Sequence, residues 1–436
     1  MSAVEQAVAP SATALPRLLS AIRRDGRAVS LDEHLRVRGP LPVGSRGRAD
    51  EADVRLLDLV EASGLLGRGG AAFPAARKLR AVVSGARRPF VVVNGAEGEP
   101  ISKKDGVLLA YDPHLVLDGA AVAAAAVGAR DVFVAVSSER SSGAVRAAVA
   151  ERASARHDRA RFRLVRVPDR FVAGEETALV SLINGGPAKP TFTPPRPFER
   201  GVQGAPTLVQ NAETLAHMAL IARYGPRWFR AVGTDEEPGS ALVTLSGAVQ
   251  RPGVYEIPLG LPLRELVEWA GGAVEPVSAY LLGGYFGSWV AADEAEPLRL
   301  LDSDLRAHGA ALGARALFVL PARACGIRET ARLARYLAAE SAGQCGPCLY
   351  GLDAIAGALE QLARGRGDTR PRIERWLDQV VGRGACRHPD GAVRFVASAL
   401  RVFAREVELH VEHGRCTGHA ERPVLPLPSR RPEAVR

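Results

Sequence analysis

Lysine is nearly missing from this chain. Only Lys78, Lys103, Lys104 and Lys189 are lysines among 57 basic residues; the others are arginines scattered along the sequence. Aromatic residues are also few, at 5%. A nucleic-acid-binding surface gathers its positive charge into a stripe interleaved with aromatics, so the net charge of +9 marks no such surface here. It leaves only a general affinity for acidic partners open. The arginine skew, with its heavy use of alanine and glycine, reads as the coding bias of a GC-rich genome. Long apolar runs are missing too. The longest uncharged one, Gly119 to Ala129, is about half of the ~20 residues a membrane helix needs. No basic segment leads an apolar run near Glu5, which argues against a secretory signal. The expected location is cytoplasmic, or peripheral to a membrane complex, with no direct membrane insertion. Cysteine is scarce, five in 436 residues, which excludes a secreted disulfide framework.

What is present is the balance of a globular protein, 47% hydrophobic and 24% charged, with length for about three domains. Residues 1–53, Arg- and Pro-rich, read as a partly ordered extension. From Val54 a helical pattern (Val54, Leu57, Val60) runs to the glycine run Gly67-Arg68-Gly69-Gly70, and the β-type segment Phe90-Val91-Val92-Val93 ends at Asn94-Gly95. Short apolar strands then alternate with Ala-rich helices as far as Val167, the pattern of a layered α/β domain over residues 54–238. A Pro-rich loop from Gly186 to Pro206 interrupts it. Between 239 and 318 a strand–turn–strand–helix pattern, followed by two more strands, predicts a small β-grasp-like domain. Residues 319–420 predict four helices, about 326–340, 349–364, 371–381 and 391–412. Short connections make them antiparallel neighbours, hence a four-helix bundle. Residues 421–436 are a tail.

All five cysteines (Cys325, Cys345, Cys348, Cys386, Cys416) fall in that helical region or at its end. In an up-down bundle, Cys345, Cys348 and Cys386 share one end and Cys325 and Cys416 the other. A gathering of loop-borne thiols suits a bound metal or an iron–sulfur cluster. Two other readings stay open: a redox-active C-G-P-C dithiol, and cysteines that merely pack. The glycine run is placed as the opening of a helix. There its backbone amides and Arg68 can hold a phosphate, or it is only a tight turn. Asn94, Glu97 and Glu99 lie just past a strand end, where α/β domains collect ligand-contacting groups; the alternative is a solvated loop. Gly174-Glu175-Glu176-Thr177 is a second acidic turn, with helix capping as its bland explanation.

Six runs, in order, resemble one known family over residues 60 to 415. They are G-L-L-G-R-G-G-A-A-F-P from Gly64, N-G-A-E-G-E-P-I-S-K-K-D from Asn94, D-P-H-L-V-L-D-G from Asp112, A-G-E-E-T-A-L from Ala173, G-A-P-T-L-V-Q-N-A-E-T from Gly204 and E-S-A-G-Q-C-G-P-C from Glu340. The family is the flavoprotein (F-type) subunit of respiratory NADH:quinone oxidoreductase, or complex I, shared with the diaphorase subunits of NAD-reducing hydrogenases and formate dehydrogenases. The resemblance implies an α/β flavin domain, a β-grasp (SLBB) domain and a helical cluster domain. It also implies FMN, NAD(H) and a 4Fe-4S cluster, and a ferredoxin or other small iron–sulfur protein as partner. Carried over by position, Gly67, Arg68, Gly69, Gly70, Lys78, Asn94, Glu97, Gly174, Glu175, Glu176 and Asn211 would border FMN. Phe73 and Glu99 would face the nicotinamide nucleotide, and Cys345, Cys348 and Cys386 would bind the cluster.

The sequence departs from the family's pattern at several of these places. Its cluster motif is E-S-C-G-x-C-x-P-C, and the first cysteine is Ala342 here. Three thiolates leave one iron of four uncapped, so the cluster is expected to be labile or to persist as 3Fe-4S. His388 is the nearest candidate for a further donor, set against the plainer expectation of a surface histidine. Ala96 stands for an Asp and Phe171 for a Tyr at the flavin, and Thr193 and Arg196 stand for a Lys and a Phe near the nucleotide. The expectation is an NADH dehydrogenase-type electron-transfer subunit. A non-catalytic relay or assembly relative is the first alternative, and a thiol–disulfide oxidoreductase the second.

Overall fold

The computed structural model describes residues 15–23, 25–41, 49–85, 87–416, 418 and 422–428. Parts of the predicted N-terminal extension and tail lie outside these.

Four strands, β1 (Phe90–Gly95), β2 (Asp131–Val136), β3 (Arg161–Arg166) and β4 (Thr207–Asn211), form a parallel sheet in the order β3-β2-β1-β4. Val91 and Val93 on one face and Val92 on the other are all fully buried, as expected of a parallel strand covered on both sides. The order reverses between β1 and β4, since β2 and β3 step away from β1 on its other side. That reversal leaves a crevice at the carboxyl ends of β1 and β4, where open α/β sheets bind ligands.

The helix Pro113–Val127 packs on the helix Ala212–Arg230. Its motif, D-P-H-L-V-L-D-G, is entirely scaffold. Asp112 caps it by accepting from Leu115 N, with Pro113 at the first turn. Asp118, fully buried, accepts from His34 Nε2 at 2.6 Å and Arg152 Nη1 at 2.8 Å, and from Arg223. Gly119 lets the two helices touch, because a Cβ there would stand 1.8 Å from the Leu215 carbonyl oxygen. Gly119→Ala is therefore expected to destabilise the fold by about 1–3 kcal/mol or more through forced helix separation. Chemical denaturation checks this; an unchanged midpoint would refute it.

A second sheet has the order β6-β5-β9-β7-β8: β5 Ser240–Gly247, β6 Gly253–Pro258, β7 Val277–Leu282, β8 Ser288–Ala291 and β9 Ala316–Pro321. β5 pairs antiparallel with β6 and parallel with β9, and the helix Leu263–Trp269 lies between the two hairpins in sequence, which is the β-grasp pattern. β9 runs to Pro321, so the sheet continues past the expected boundary at 318.

After β9 the described residues are mostly helical: Gly326–Ala339, Leu352–Ala363, Arg370–Val380, His388–Val402 and Ala404–His413. The expected fourth helix, 391–412, is two helices that break at Phe403 (φ −102°, ψ 27°). The Phe403 ring lodges in the core against Trp289, 5.3 Å between centroids, a demand of packing that the 3–4 periodicity of Val396, Leu400, Phe403 and Val407 does not reveal. No single helix among the described residues is long and apolar enough to cross a membrane.

Candidate functional site

The crevice at the ends of β1 and β4 collects most of the sequence-predicted residues. Asn94 and Asn211 are register partners across β1 and β4. Asn94 Nδ2 donates to Gly174 O at 2.8 Å, and its Oδ1 accepts from Ala96 N at 3.2 Å. Asn211 Nδ2 donates to Asp105 Oδ2 at 2.7 Å. The loops meet backbone to backbone. A Cβ on Gly98 would lie 2.4 Å from Phe171 O, one on Gly174 2.7 Å from Ala96 O, and one on Gly69 3.3 Å from Asn211 Cβ. Glycine is what permits this approach.

The glycine run does not open a helix. The next helix, Ala75–Val83, starts five residues after Gly70. The intervening chain closes on itself, with Gly67 N donating to Phe73 O at 2.9 Å and Leu66 bridged to Pro74. Gly70 has φ +111°, a left-handed conformation that favours glycine. Arg68 does not offer its guanidinium to a phosphate either. The side chain is fully buried and donates to Leu66 O, Pro238 O and Ser240 O, tying the α/β domain to the start of β5. An arginine written between glycines in a loop gives no sign of which way it points.

Lys78 faces the crevice and donates to Glu176 Oε2 at 2.7 Å, both side chains partly exposed. Glu175 caps the helix Glu176–Ile183 by accepting from Thr177 N and Ala178 N, and burial raises its pKa. Glu97 caps at a distance, accepting from Asp105 N at 3.0 Å and Gly106 N at 2.9 Å at the start of the helix Lys104–Tyr111. Phe73 is half-exposed, with the Arg77 guanidinium 5.6 Å from its ring centre.

Glu99 lies where the α/β domain meets the second sheet, accepting from Tyr285 N at 2.7 Å. Burial pushes its pKa up to about 8, aided by the Glu97 charge and opposed by the Tyr285 and Ile101 amides and by Lys103. Its folded value lies above its unfolded one. The neutral carboxyl therefore stabilises the fold fully below about pH 4, and that contribution is lost as the pH rises through about 8.

Sequence reasoning misses three residues that lie inside the quoted motifs: Lys104, Asp105 and Glu213. Lys104 Nζ, buried, lies 2.9 Å from Asp105 Oδ2, 3.0 Å from Glu213 Oε2 and 3.3 Å from Asn211 Oδ1. Burial opposes its charge, but Asp105 and Glu213 more than offset this and raise its pKa. Glu213 Oε1 also accepts from Leu242 N at 2.8 Å, across the domain junction. The signal is present in K-K-D and N-A-E-T, but nothing in the sequence says that the two runs meet.

At the helical end, Cys345 and Cys348 flank the start of the π-helical turn Pro347–Gly351, a rare conformation frequent at functional sites. Burial raises the Cys348 thiol's pKa, and the neighbouring Cys345 and Cys386 add to this. Cys386 accepts from the His388 amide, which partly offsets its own burial. Ala342 is buried. His388 is not a surface side chain. It is buried, donates from Nε2 to Leu337 O at 2.7 Å, and has its pKa pushed down to about 4 by burial. Phe171 joins this end to the crevice. Its ring packs edge-on to Phe286 and His388, 4.5 and 5.8 Å between centroids, and its amide donates to Glu340 Oε2 at 2.8 Å. A cleft of about 410 Å³ beside Gly85, Arg87 and Pro206 lies at the amino ends of the strands, away from all these groups.

This arrangement has relatives. Residues 60–220 match the family model of the Nuo51 FMN-binding domain, 242–283 that of the SLBB domain, and 328–410 that of the NADH-ubiquinone oxidoreductase-F iron-sulfur binding region. The second F-type subunit of the NADH-quinone oxidoreductase of Rhizobium meliloti is 34% identical over 385 residues, 84% of this chain and 90% of that protein. The chain belongs to the F-type NADH-quinone oxidoreductase family. The corresponding F-type protein of Streptomyces coelicolor is 32% identical over 419 residues, 92% of each chain. Among solved structures, an NAD+-reducing [NiFe]-hydrogenase in the air-oxidized state matches with a TM-score of 0.80 at 29% identity, over 95% of this chain and 68% of that one. In the H2-reduced state the values are 0.76 and 30%, over 84% and 64%, so this F-type chain spans about two thirds of the hydrogenase chain.

Proposed function

We propose that the chain is an FMN-dependent NADH dehydrogenase (diaphorase)-type subunit, passing electrons from NADH through an iron–sulfur site to a partner iron–sulfur protein such as a ferredoxin. On this reading residues 54–238 bind flavin and nucleotide, and the C-terminal helices, arranged as a bundle, hold the cluster. The observation that carries it is the convergence of Asn94, Gly174, Asn211 and the Gly67–Gly70 loop on the crevice where the strand order reverses. The site fits FMN by its donors: loop amides, two carboxamides and the Lys78 ammonium, with glycines leaving room at the backbone.

Bound FMN supplies an acceptor that takes two electrons and releases them one at a time. The chain's own residues do the rest. The amides of Gly69 and Gly70, with Lys78, would hold the phosphate. Asn94, Glu97, Gly174, Glu175, Glu176 and Asn211 form the walls, and Phe73 offers an exposed aromatic face to the nucleotide. Glu99, neutral below about pH 8, keeps negative charge away from an anionic dinucleotide. KM for NADH is therefore expected to rise as the pH passes about 8, and to stay flat in Glu99→Gln. A wild-type profile flat well above that value, or one shared by the variant, would refute this role.

Cys345, Cys348 and Cys386 would hold the cluster. Three thiol donors suit a 3Fe-4S cluster or a 4Fe-4S cluster with one open iron. The test is anaerobic purification after riboflavin supplementation: about one FMN per chain released by acid, and ferricyanide reduction driven by NADH. Protein with no flavin, and none taken up on titration, would sink the reading. Flavin without NADH turnover would favour the relay or assembly role, to which Ala342, Thr193 and Arg196 lend support. For the thiol–disulfide alternative, insulin reduction abolished by Cys345→Ser would be the supporting result.

A further inference from the structure

The two cysteines outside the cluster site do not stand alone. Cys325 precedes the first C-terminal helix as its N-cap, and its sulfur accepts from Arg328 N at 3.3 Å. Cys416 lies just beyond the last helix, after the left-handed cap Gly414. Between them in space is His410, fully buried, with Nε2 3.2 Å from Cys325 Sγ. One ligand atom from each of Cys325, His410 and Cys416 lies within 4.8 Å of the others. Tetrahedral zinc with bonds of about 2.3 Å to sulfur and 2.0–2.1 Å to nitrogen places its ligand atoms roughly 3.5–3.8 Å apart. A fourth donor is at hand. Glu406 stands one turn before His410 on the same helix, and its Oε2 lies 3.9 Å from Cys416 Sγ.

The geometry points to a mononuclear metal site made by Cys325, His410 and Cys416, with Glu406 or water as fourth ligand, for zinc or a similar borderline-soft divalent cation. Two sulfurs, one imidazole nitrogen and one oxygen match that class and not magnesium or calcium. The site is separate from Cys345, Cys348 and Cys386. The helix Gly326–Ala339 lies between them, about 20 Å at 1.5 Å per residue. Its chemistry is closure. The cation would join the residue that opens the helical region to the residue that follows its last helix, bracketing the stretch that carries the cluster thiols. No electron transfer is asked of it.

The full chain, purified without added metal and washed with a weak chelator, is analysed for zinc and iron together with Cys416→Ser, His410→Gln and, as a cluster control, Cys348→Ser. About one zinc per chain is expected in the wild type and in Cys348→Ser, and less than a tenth of that in the other two, with FMN content unchanged. X-ray absorption at the zinc edge should show two sulfur and one nitrogen neighbours. Should the substitutions unfold the helices, the wild type still decides. Cys416 is only partly buried, so alkylation of its thiol should be blocked until a strong chelator is added. Equal zinc in wild type and variants, no stoichiometric uptake on titration with Zn2+, alkylation indifferent to chelator, or a native Cys325–Cys416 disulfide would each overturn the assignment.

Discussion

Gly174→Val should empty the flavin site. Any Cβ at this position falls 2.7 Å from the Ala96 carbonyl oxygen, and valine adds two methyl groups. The loop after β1 and the loop before the helix Glu176–Ile183 would be driven apart, breaking the Asn94 Nδ2 to Gly174 O bond that holds them. On the proposed reading, FMN touches both loops at once, so a displacement of about 1 Å removes contacts on two sides together. A loss of at least about 100-fold in FMN affinity is expected, close to 3 kcal/mol. NADH-driven ferricyanide reduction should fall in proportion. Gly143→Ala is the control, since nothing lies within 4 Å of a Cβ there. In mid-helix it should leave flavin untouched and stabilise by about 0.5–1 kcal/mol. Equal FMN affinity in Gly174→Val and wild type would mean that flavin, if bound, sits elsewhere.

The second large effect belongs to the cluster. Cys348→Ser is expected to remove essentially all iron held at the helical end, because Cys348 is the most buried of the three thiols and, on the proposed reading, its loss leaves only two thiolates for the cluster. Ala342→Cys should act in the opposite direction. Position 342 is buried and three residues before Cys345, where the family motif has its first ligand. A fourth thiolate would cap the open iron, so the variant should carry four irons, survive exposure to air and give a four-iron EPR signal on reduction. The wild type should lose iron in air and show a three-iron signal. Iron absent from both proteins would make this end purely structural. A wild-type cluster already stable in air would mean that another donor completes it. His388 is poorly placed for that through Nε2, which is committed to the Leu337 carbonyl.

Much of the architecture is legible from local pattern. The β/α alternation up to Val167 and the strand–turn–strand–helix run after Ser240 are written in hydrophobic period and turn residues, which report on a chain's neighbours within a few positions. The motif residues Asn94, Gly174 and Asn211 are legible as candidate site residues too. The break at Phe403 is not, because a helix period persists through a one-residue interruption that core packing imposes. The Lys104–Asp105–Glu213 cluster is not either, since its members are charged residues whose meaning depends on what they are buried against.

By itself, the sequence determined the strand–helix alternation of the first domain, the absence of a long apolar run, the family and the missing fourth cysteine at Ala342. These are matters of residue identity and short-range spacing. Tertiary structure alone decided that Arg68 turns inward to three carbonyls and not outward to a phosphate, that D-P-H-L-V-L-D-G is scaffold, and that Cys325 meets His410 and Cys416. Residues as far apart in sequence as Cys325 and His410 come together there because helices of fixed rise return the chain to the same end of the domain. Side-chain direction is then set by what each one can bury or satisfy on arrival.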